Sequence, residues 1–312
     1  MKNLRKTIFV PFFVAGLLSL SACGDESLDP TPVVTEATTT VETENINARS
    51  TTSSYSDLTA LPPDTGGTQK AVTLGTNGTP FGYYAYTPGG YSSNTQKYPV
   101  LIFLHGKSER GDGKTTLSRV LNQGIPKMIA NKTWKTSYPM IVISPQFHLS
   151  VGNSNNWGGG DANYLKNFIK YIITKYRINP SRIYLTGLSH GGNGVWDYIS
   201  LVDDASSYIA AAAPVASYGA RKGYKMHDET PIWAFVGESD VTNFNTSKAF
   251  VTNYNAQSPA PLYKAKLSGF IGVGHDCWTR TYSGSGIGTA NPLYDAFNQK
   301  LTDWMFKYKR TN

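Results

Sequence analysis

Ser189 stands at the centre of Gly187-Leu188-Ser189-His190-Gly191, with the β-prone run Ser181-Arg182-Ile183-Tyr184-Leu185-Thr186 before it and an apolar helical pattern, Asn193 to Val202, after it. A Gly-x-Ser-x-Gly pattern is short and arises by chance, so its surroundings decide its meaning. Here it falls where a strand gives way to a helix. A serine at such a corner has strained backbone, and Cβ atoms two residues to either side would collide; glycines at 187 and 191 remove that crowding. The corner lifts the hydroxyl clear of the sheet and aims the next helix N-terminus at it. This context predicts a nucleophile at Ser189.

A serine hydroxyl is a weak nucleophile near neutral pH. It needs a base, and the base needs an orienting carboxylate. For a serine on a strand-to-helix elbow the partners follow in the order serine, acid, histidine. Of the five histidines, His105 and His148 precede Ser189, His190 is its neighbour and should point away, and His227 lies ahead of the strand best suited to carry the acid. His275 remains, in the glycine-rich loop "GFIGVGHDCW". The acid should follow a strand between Ser189 and His275, and "PIWAFVGESD" supplies Glu238 and Asp240 just past Gly237. Asp240 is preferred and Glu238 stays open as the alternative. Asp276 is discounted because neighbours on an extended segment face apart. A tetrahedral intermediate needs donors already in place for its negative oxygen. The amide of His190 is one. The second is expected after "VLIFLHG", at the backbone amide of Lys107, with the lysine side chain incidental.

These residues need a scaffold that brings them to one edge. From about Gln69 onward strand and helix patterns alternate. "KAVTLGTNGTPFGYYAYTP" predicts a hairpin around Asn77-Gly78. "YPVLIFLH", "PMIVISP", "SRIYLT", "YIAAAAPVA", "PIWAFVG" and "LYKAKLSG" predict strands. Helices are expected within Thr115 to Ala130, along "DANYLKNFIKYIITKYRI" with Asp161 as N-cap, after the serine, and along "NPLYDAFNQKLTDWMFKYK". The pattern predicts an α/β fold: a mostly parallel central sheet with helices on both faces, opened by an antiparallel hairpin.

"LIFLHGKSERGDG", "ISPQ", "NNW", "NPSRIYLTGLSHGGNGVW", "WAFVGESD" and "GHDCW" occur in that order between about Thr68 and Tyr308. Together they resemble the α/β-hydrolase fold, within the bacterial esterase group similar to dienelactone hydrolases, feruloyl and acetylxylan esterases and polyhydroxybutyrate depolymerases. The resemblance implies a Ser189, Asp240 and His275 triad, the acid standing three residues past the strand-ending glycine. It implies a serine carboxylic-ester hydrolase with no cofactor, acting on an ester substrate such as a feruloyl or acetyl group on plant polysaccharide. Gln146, Trp157 and Trp278 are the matched positions expected on the active-site side as substrate-binding residues; Trp157 either stacks on a sugar or an aromatic acid or is a packed loop tryptophan, and Trp278 either meets substrate or packs in the core. Trp196 is expected in the core, and Cys277 as a small buried residue. Two rivals remain: a serine peptidase of prolyl-oligopeptidase type, and a non-catalytic carbohydrate-binding surface protein on a hydrolase scaffold. The short polar segment "YGARKGYKMHDET", where many lipases carry a long apolar lid, argues against long-chain fats.

The chain has 312 residues and a formal net charge of +8. Lys2, Arg5 and Lys6 precede an apolar run, Ile8 to Leu20, the pattern of an export signal. Leu20-Ser21-Ala22-Cys23 resembles the lipobox of bacterial lipoproteins, so residues 1–22 are read as a signal peptide and Cys23 as the lipidated residue. Residues 23–66, rich in Thr, Ser and Glu, are read as a disordered tether, and 67–312 as the catalytic domain. Residues 23–57 carry seven acids and one Arg; residues 58–312 carry 25 Lys plus Arg against 14 acids. This basic excess suits an anionic polymer or surface, or scattered solvated lysines. Cys23 and Cys277 are the two cysteines, so no disulfide framework holds the fold. No Cys and His spacing suits zinc, so no metal is expected, nor is a nucleic-acid partner. The location implied is the bacterial cell envelope, at the outer membrane or cell surface, held there through the lipid anchor alone.

Overall fold

The β-prone segments form one eight-stranded sheet in the computed structural model of the protein, which describes residues 55–148, 157, 162–219 and 229–310. In chain order the strands are β1 (Thr68–Val72), β2 (Gly82–Thr87), β3 (Tyr98–Leu104), β4 (Ile141–Gln146), β5 (Ile178–Leu188), β6 (Ala211–Val215), β7 (Trp233–Gly237) and β8 (Lys266–Phe270). The helices are α1 (Ser56–Thr59), α2 (Gly124–Ala130), α3 (Ala162–Lys175), α4 (His190–Leu201), α5 (Val241–Asn255), α6 (Trp278–Ser283) and α7 (Leu301–Phe306). The signal segment, Cys23, the tether as far as residue 54, Asp161 and residues 220–228 of the polar segment lie outside the described residues.

The spatial order is β1-β2-β4-β3-β5-β6-β7-β8. β2 pairs antiparallel with both β1 and β4, and every later pair is parallel. β3 is buried along its whole length. Val100, Ile102 and Leu104 enter the core packed by α3, α4 and α5; Leu101 and Phe103 enter the core packed by α2, α6 and α7. A parallel strand covered on both faces must be apolar at every position, which is why β3 reads as an unbroken hydrophobic run. The chain passes from β3 to β4 on one side and then to β5 on the other. That reversal leaves a crevice at the carboxyl ends of the strands, the place where such sheets carry their sites.

Three expectations change. The folded part begins upstream of residue 67: Leu58 and Leu61 are buried, and Asp57 pairs with Arg182 at 2.6 Å. Asp64 takes the Tyr86 hydroxyl at 2.7 Å and the Gly89 amide at 2.8 Å. A few apolar and acidic residues at the end of the tether are enough to dock it. The last helix is short. Asn291 and Asp295 instead donate backbone N–H groups to Gly269 and Leu267 and cover the exposed edge of β8. Residues 115–130 split into a 3-10 stretch, Leu117–Asn122, and α2, broken at Gln123 and at Gly124, whose φ is +60°.

Candidate active site

The serine corner has the strain its neighbours imply. Ser189 sits at φ 54°, ψ −118°, between the end of β5 and the first residue of α4. A Cβ at Gly191 would lie 2.0 Å from the Leu104 carbonyl oxygen, and one at Gly187 would lie 2.5 Å from the Gly191 backbone. Neither distance is tolerable. The two glycines are therefore what allows α4 to start against the end of β3 and β5.

His275 reaches this corner from the loop after β8. Its Nε2 is 2.9 Å from Ser189 Oγ, and its Nδ1 is 2.5 Å from Asp240 Oδ2. Asp240 follows β7 and immediately precedes α5. Nδ1 faces a carboxylate and so carries the proton; Nε2 is left to accept from the serine hydroxyl. Glu238, the alternative acid, points elsewhere and accepts from Asn291 Nδ2 at 2.7 Å. Asp276 accepts from the Thr279 amide and hydroxyl, each at 3.0 Å. The His275 side chain keeps 46% of its surface exposed and that of Asp240 17%, so the site opens to solvent at the histidine and closes around the acid.

The turn His105-Gly106-Lys107 abuts the serine: a Cβ at Gly106 would come within 3.7 Å of Ser189 Cβ. His105 is fully buried and holds this turn. It donates Nδ1–H to the Gly106 carbonyl at 2.6 Å and accepts the Phe147 amide at Nε2, at 2.9 Å. Burial pushes its pKa down to about 4, so the ring stays neutral. The Lys107 side chain is exposed, and its residue opens the 3-10 turn Lys107–Glu109.

Gln146 serves the interior rather than an open pocket, and Trp157 takes the second of its two expected roles, a packed loop tryptophan. Gln146 is fully buried, and its side chain accepts from the Gly113 amide at 2.9 Å and donates to the Glu109 carbonyl at 2.9 Å and the Thr116 carbonyl at 2.7 Å. With its polar atoms occupied, it clamps the loop behind the turn. Trp157 is 2% exposed, donates to the His105 carbonyl at 2.9 Å and packs on Phe81, His105 and Phe147. A ring enclosed this way has no face left for a sugar. Trp278, by contrast, is half-buried and stands edge-on to His275, ring centroids 5.3 Å apart. Trp196 lies in the core. Cys277 is buried too; burial pushes its thiol pKa well above the ordinary range, and Sγ donates to the Phe235 carbonyl.

One residue at the site has no counterpart among the sequence expectations. Asn243, in the first turn of α5, donates Nδ2–H to Asp240 Oδ2 at 2.7 Å. The signal available was its place three residues after the acid, one helical turn on.

No protein-family model matches the chain. It is 25% identical over 182 residues to a bifunctional acetylxylan esterase/xylanase of Neocallimastix patriciarum, covering 57% of this chain and 24% of that protein. It is 26% identical over 140 residues to a probable acetylxylan esterase A of Aspergillus clavatus, covering 42% and 41%. The chain thus spans between 24% and 41% of the length of these two relatives. Among solved structures it is similar to a thermostable esterase, at TM-score 0.55 and 22% identity over 79% of this chain and 64% of that one. It is also similar to the feruloyl esterase module from Clostridium thermocellum complexed with sinapinate, at TM-score 0.50 and 20% identity over 79% and 93%. The fold is that of the α/β hydrolases.

Proposed function

We propose that this protein is a serine carboxylic-ester hydrolase in which Ser189, His275 and Asp240 act as one relay. The observation that carries the reading is the pair of hydrogen bonds on one imidazole: Nε2 to Ser189 Oγ at 2.9 Å and Nδ1 to Asp240 Oδ2 at 2.5 Å. Ser189 Oγ attacks the ester carbonyl as Nε2 takes its proton, and Asp240 stabilises the imidazolium. The negative oxygen of the tetrahedral intermediate accepts from the amides of His190 and Lys107. The intermediate collapses, the C–O bond to the alcohol breaks, and the imidazolium returns its proton to the departing oxygen. Water then repeats the sequence against the acyl-serine and frees the acid.

For the substrate, the acetylxylan esterases among the similar proteins favour a small acyl group on a polysaccharide. The solvent-facing His275 suits a bulky, hydrophilic alcohol, since the leaving group departs past that ring. Trp278, edge-on to His275, is the residue proposed to meet the sugar or acyl group. The lipid anchor at Cys23 and an envelope location belong to the same proposal; Cys23→Ser should move the protein from the membrane to the soluble fraction.

The test uses the purified chain with acetylated xylan, feruloylated arabinoxylan, p-nitrophenyl acetate and butyrate, hydroxybutyrate oligomers and a proline-containing peptide anilide. The expected result is acetyl release, covalent labelling by a fluorophosphonate, and loss of both in Ser189→Ala by at least about 10³-fold. Labelling that persists in Ser189→Ala overturns the nucleophile. Cleavage of the anilide alone overturns the ester reading in favour of a peptidase.

A further inference from the structure

We infer that Asn243 is a positioning residue of this site, one whose side-chain amide fixes the Asp240 carboxylate on the oxygen that faces His275. The inference rests on the serine-hydrolase reading above and adds a fourth side chain to it.

Asn243 Nδ2 lies 2.7 Å from Asp240 Oδ2, the oxygen that also takes His275 Nδ1 at 2.5 Å. Nδ2 and Nδ1 are 3.3 Å apart, so the three atoms form a tight triangle. Chemistry settles the roles. A carboxylate only accepts, so Asn243 must present its NH₂ group; its carbonyl oxygen there would be repelled. Nδ1 already carries the proton aimed at the carboxylate and cannot accept from the amide. The approach between the two nitrogens is thus the geometric result of a shared acceptor, not a third hydrogen bond.

Two effects follow. Rotation of the carboxylate, which would exchange its oxygens, breaks the amide bond as well as the imidazole bond, so Asp240 is held in register. Oδ2 also divides its negative charge between two donors, the Asn243 amide and the His275 imidazole. The other charged and titratable groups of the neighbouring elements are engaged elsewhere: Asp276 with Thr279, Glu238 with Asn291, and Cys277 buried as a neutral thiol. His190 lies next to Ser189 at the start of α4, a second titratable ring on the neighbouring element. Asp240 is the carboxylate in contact with the His275 ring among the described residues.

The experiment compares the wild type with Asn243→Ala and Asn243→Asp by steady-state kinetics across pH, thermal melts, and NMR titration of the His275 ring in a Ser189→Ala background. Asn243→Ala is expected to lower kcat about tenfold with KM within about twofold, and to move the acid limb and the ring titration upward by about half a unit. Asn243→Asp, which adds a like charge beside Asp240, should move both further upward. An unchanged kcat and limb in Asn243→Ala overturns the inference, and so does a lowered melting temperature with the titration unmoved. Activity retained in Ser189→Ala overturns the hydrolase reading instead, while the ring titration still reports on the Asn243 bond.

Discussion

At the scale of residues, the histidines divide the work by burial. His275 is exposed and faces Asp240 and Ser189, whereas His105 is sealed and pinned as one tautomer by Gly106 and Phe147. Its depressed pKa, about 4 against an ordinary 6.5, has a direct consequence for stability. The unfolded chain binds a proton on His105 below about pH 6.5, and the folded protein does not until about pH 4. Stability from this group is therefore complete above pH 6.5 and is lost as pH falls toward 4, by about 3 kcal/mol. His148 is also pushed down by burial and adds in the same direction. Denaturant melts between pH 7 and 4 should show the decline, and His105→Gln should remove most of its slope. A slope unchanged in His105→Gln would mean that the ring is not the group titrating.

At the scale of elements, the elbow is a problem of clearance. α4 begins close enough to the end of β3 that one methyl group at residue 191 would meet the Leu104 and His105 carbonyl oxygens at 2.0 and 2.8 Å. Gly191→Ala must push the helix start away from the strand, moving the His190 amide and Ser189 together. Overpacking of this kind costs about 1–3 kcal/mol. The expected outcome is a fall in fluorophosphonate labelling rate of at least about tenfold with helical circular dichroism retained; an unchanged rate would show that the corner tolerates the shift. The same elements explain what was hard to read. α5 buries Ser247, Phe250, Val251 and Tyr254 among asparagines and threonines, so its apolar stripe is diluted. α6 is six residues long, too short for a periodic signal. The segment 291–300 has helical composition, yet the free edge of β8 captures its backbone N–H groups instead.

At the scale of the whole molecule, a single buried guanidinium ties the two ends of the described chain to the middle of the sheet. Arg182 on β5 is fully buried, donates Nε and Nη2 to the Asp57 carboxylate at 2.6 and 2.9 Å, and donates Nη1 to the Phe306 carbonyl at 2.8 Å. Burial pushes the Asp57 carboxyl up, but the hydrogen bond and charge of Arg182 outweigh it and hold the pKa below its ordinary value. A depressed carboxyl contributes stability above its unfolded pKa and loses it as pH falls through the folded value, so this contribution fades only below about pH 4. Asp57→Ala strands the guanidinium and should cost about 3 kcal/mol at neutral pH, the low end for a buried pair because the Asp57 side chain keeps 30% exposure. Denaturant midpoints at pH 7 check it. A loss within about 0.5 kcal/mol would mean that water reaches Arg182 once the partner is gone.

What the sequence determined by itself is whatever local sterics and periodicity enforce. The unbroken apolar run of β3 requires cover on both faces, and the glycines at 187 and 191 announce a serine corner. The order of serine, acid and histidine then leaves His275 with few competitors. What only the tertiary structure decided is which polar groups face one another across the sheet. Glu238 and Asp240 are separated by one residue, and it is the direction of the chain as it enters α5 that turns one toward His275 and the other toward Asn291. Gln146 and Trp157 have the right types and the right loop for binding substrate, but the interior uses their hydrogen bonds and faces first. The docking of residues 55–66 likewise depends on Arg182, a partner more than a hundred residues away. Such choices arise from burial, where an unpaired polar group is costly and the nearest compatible partner is taken.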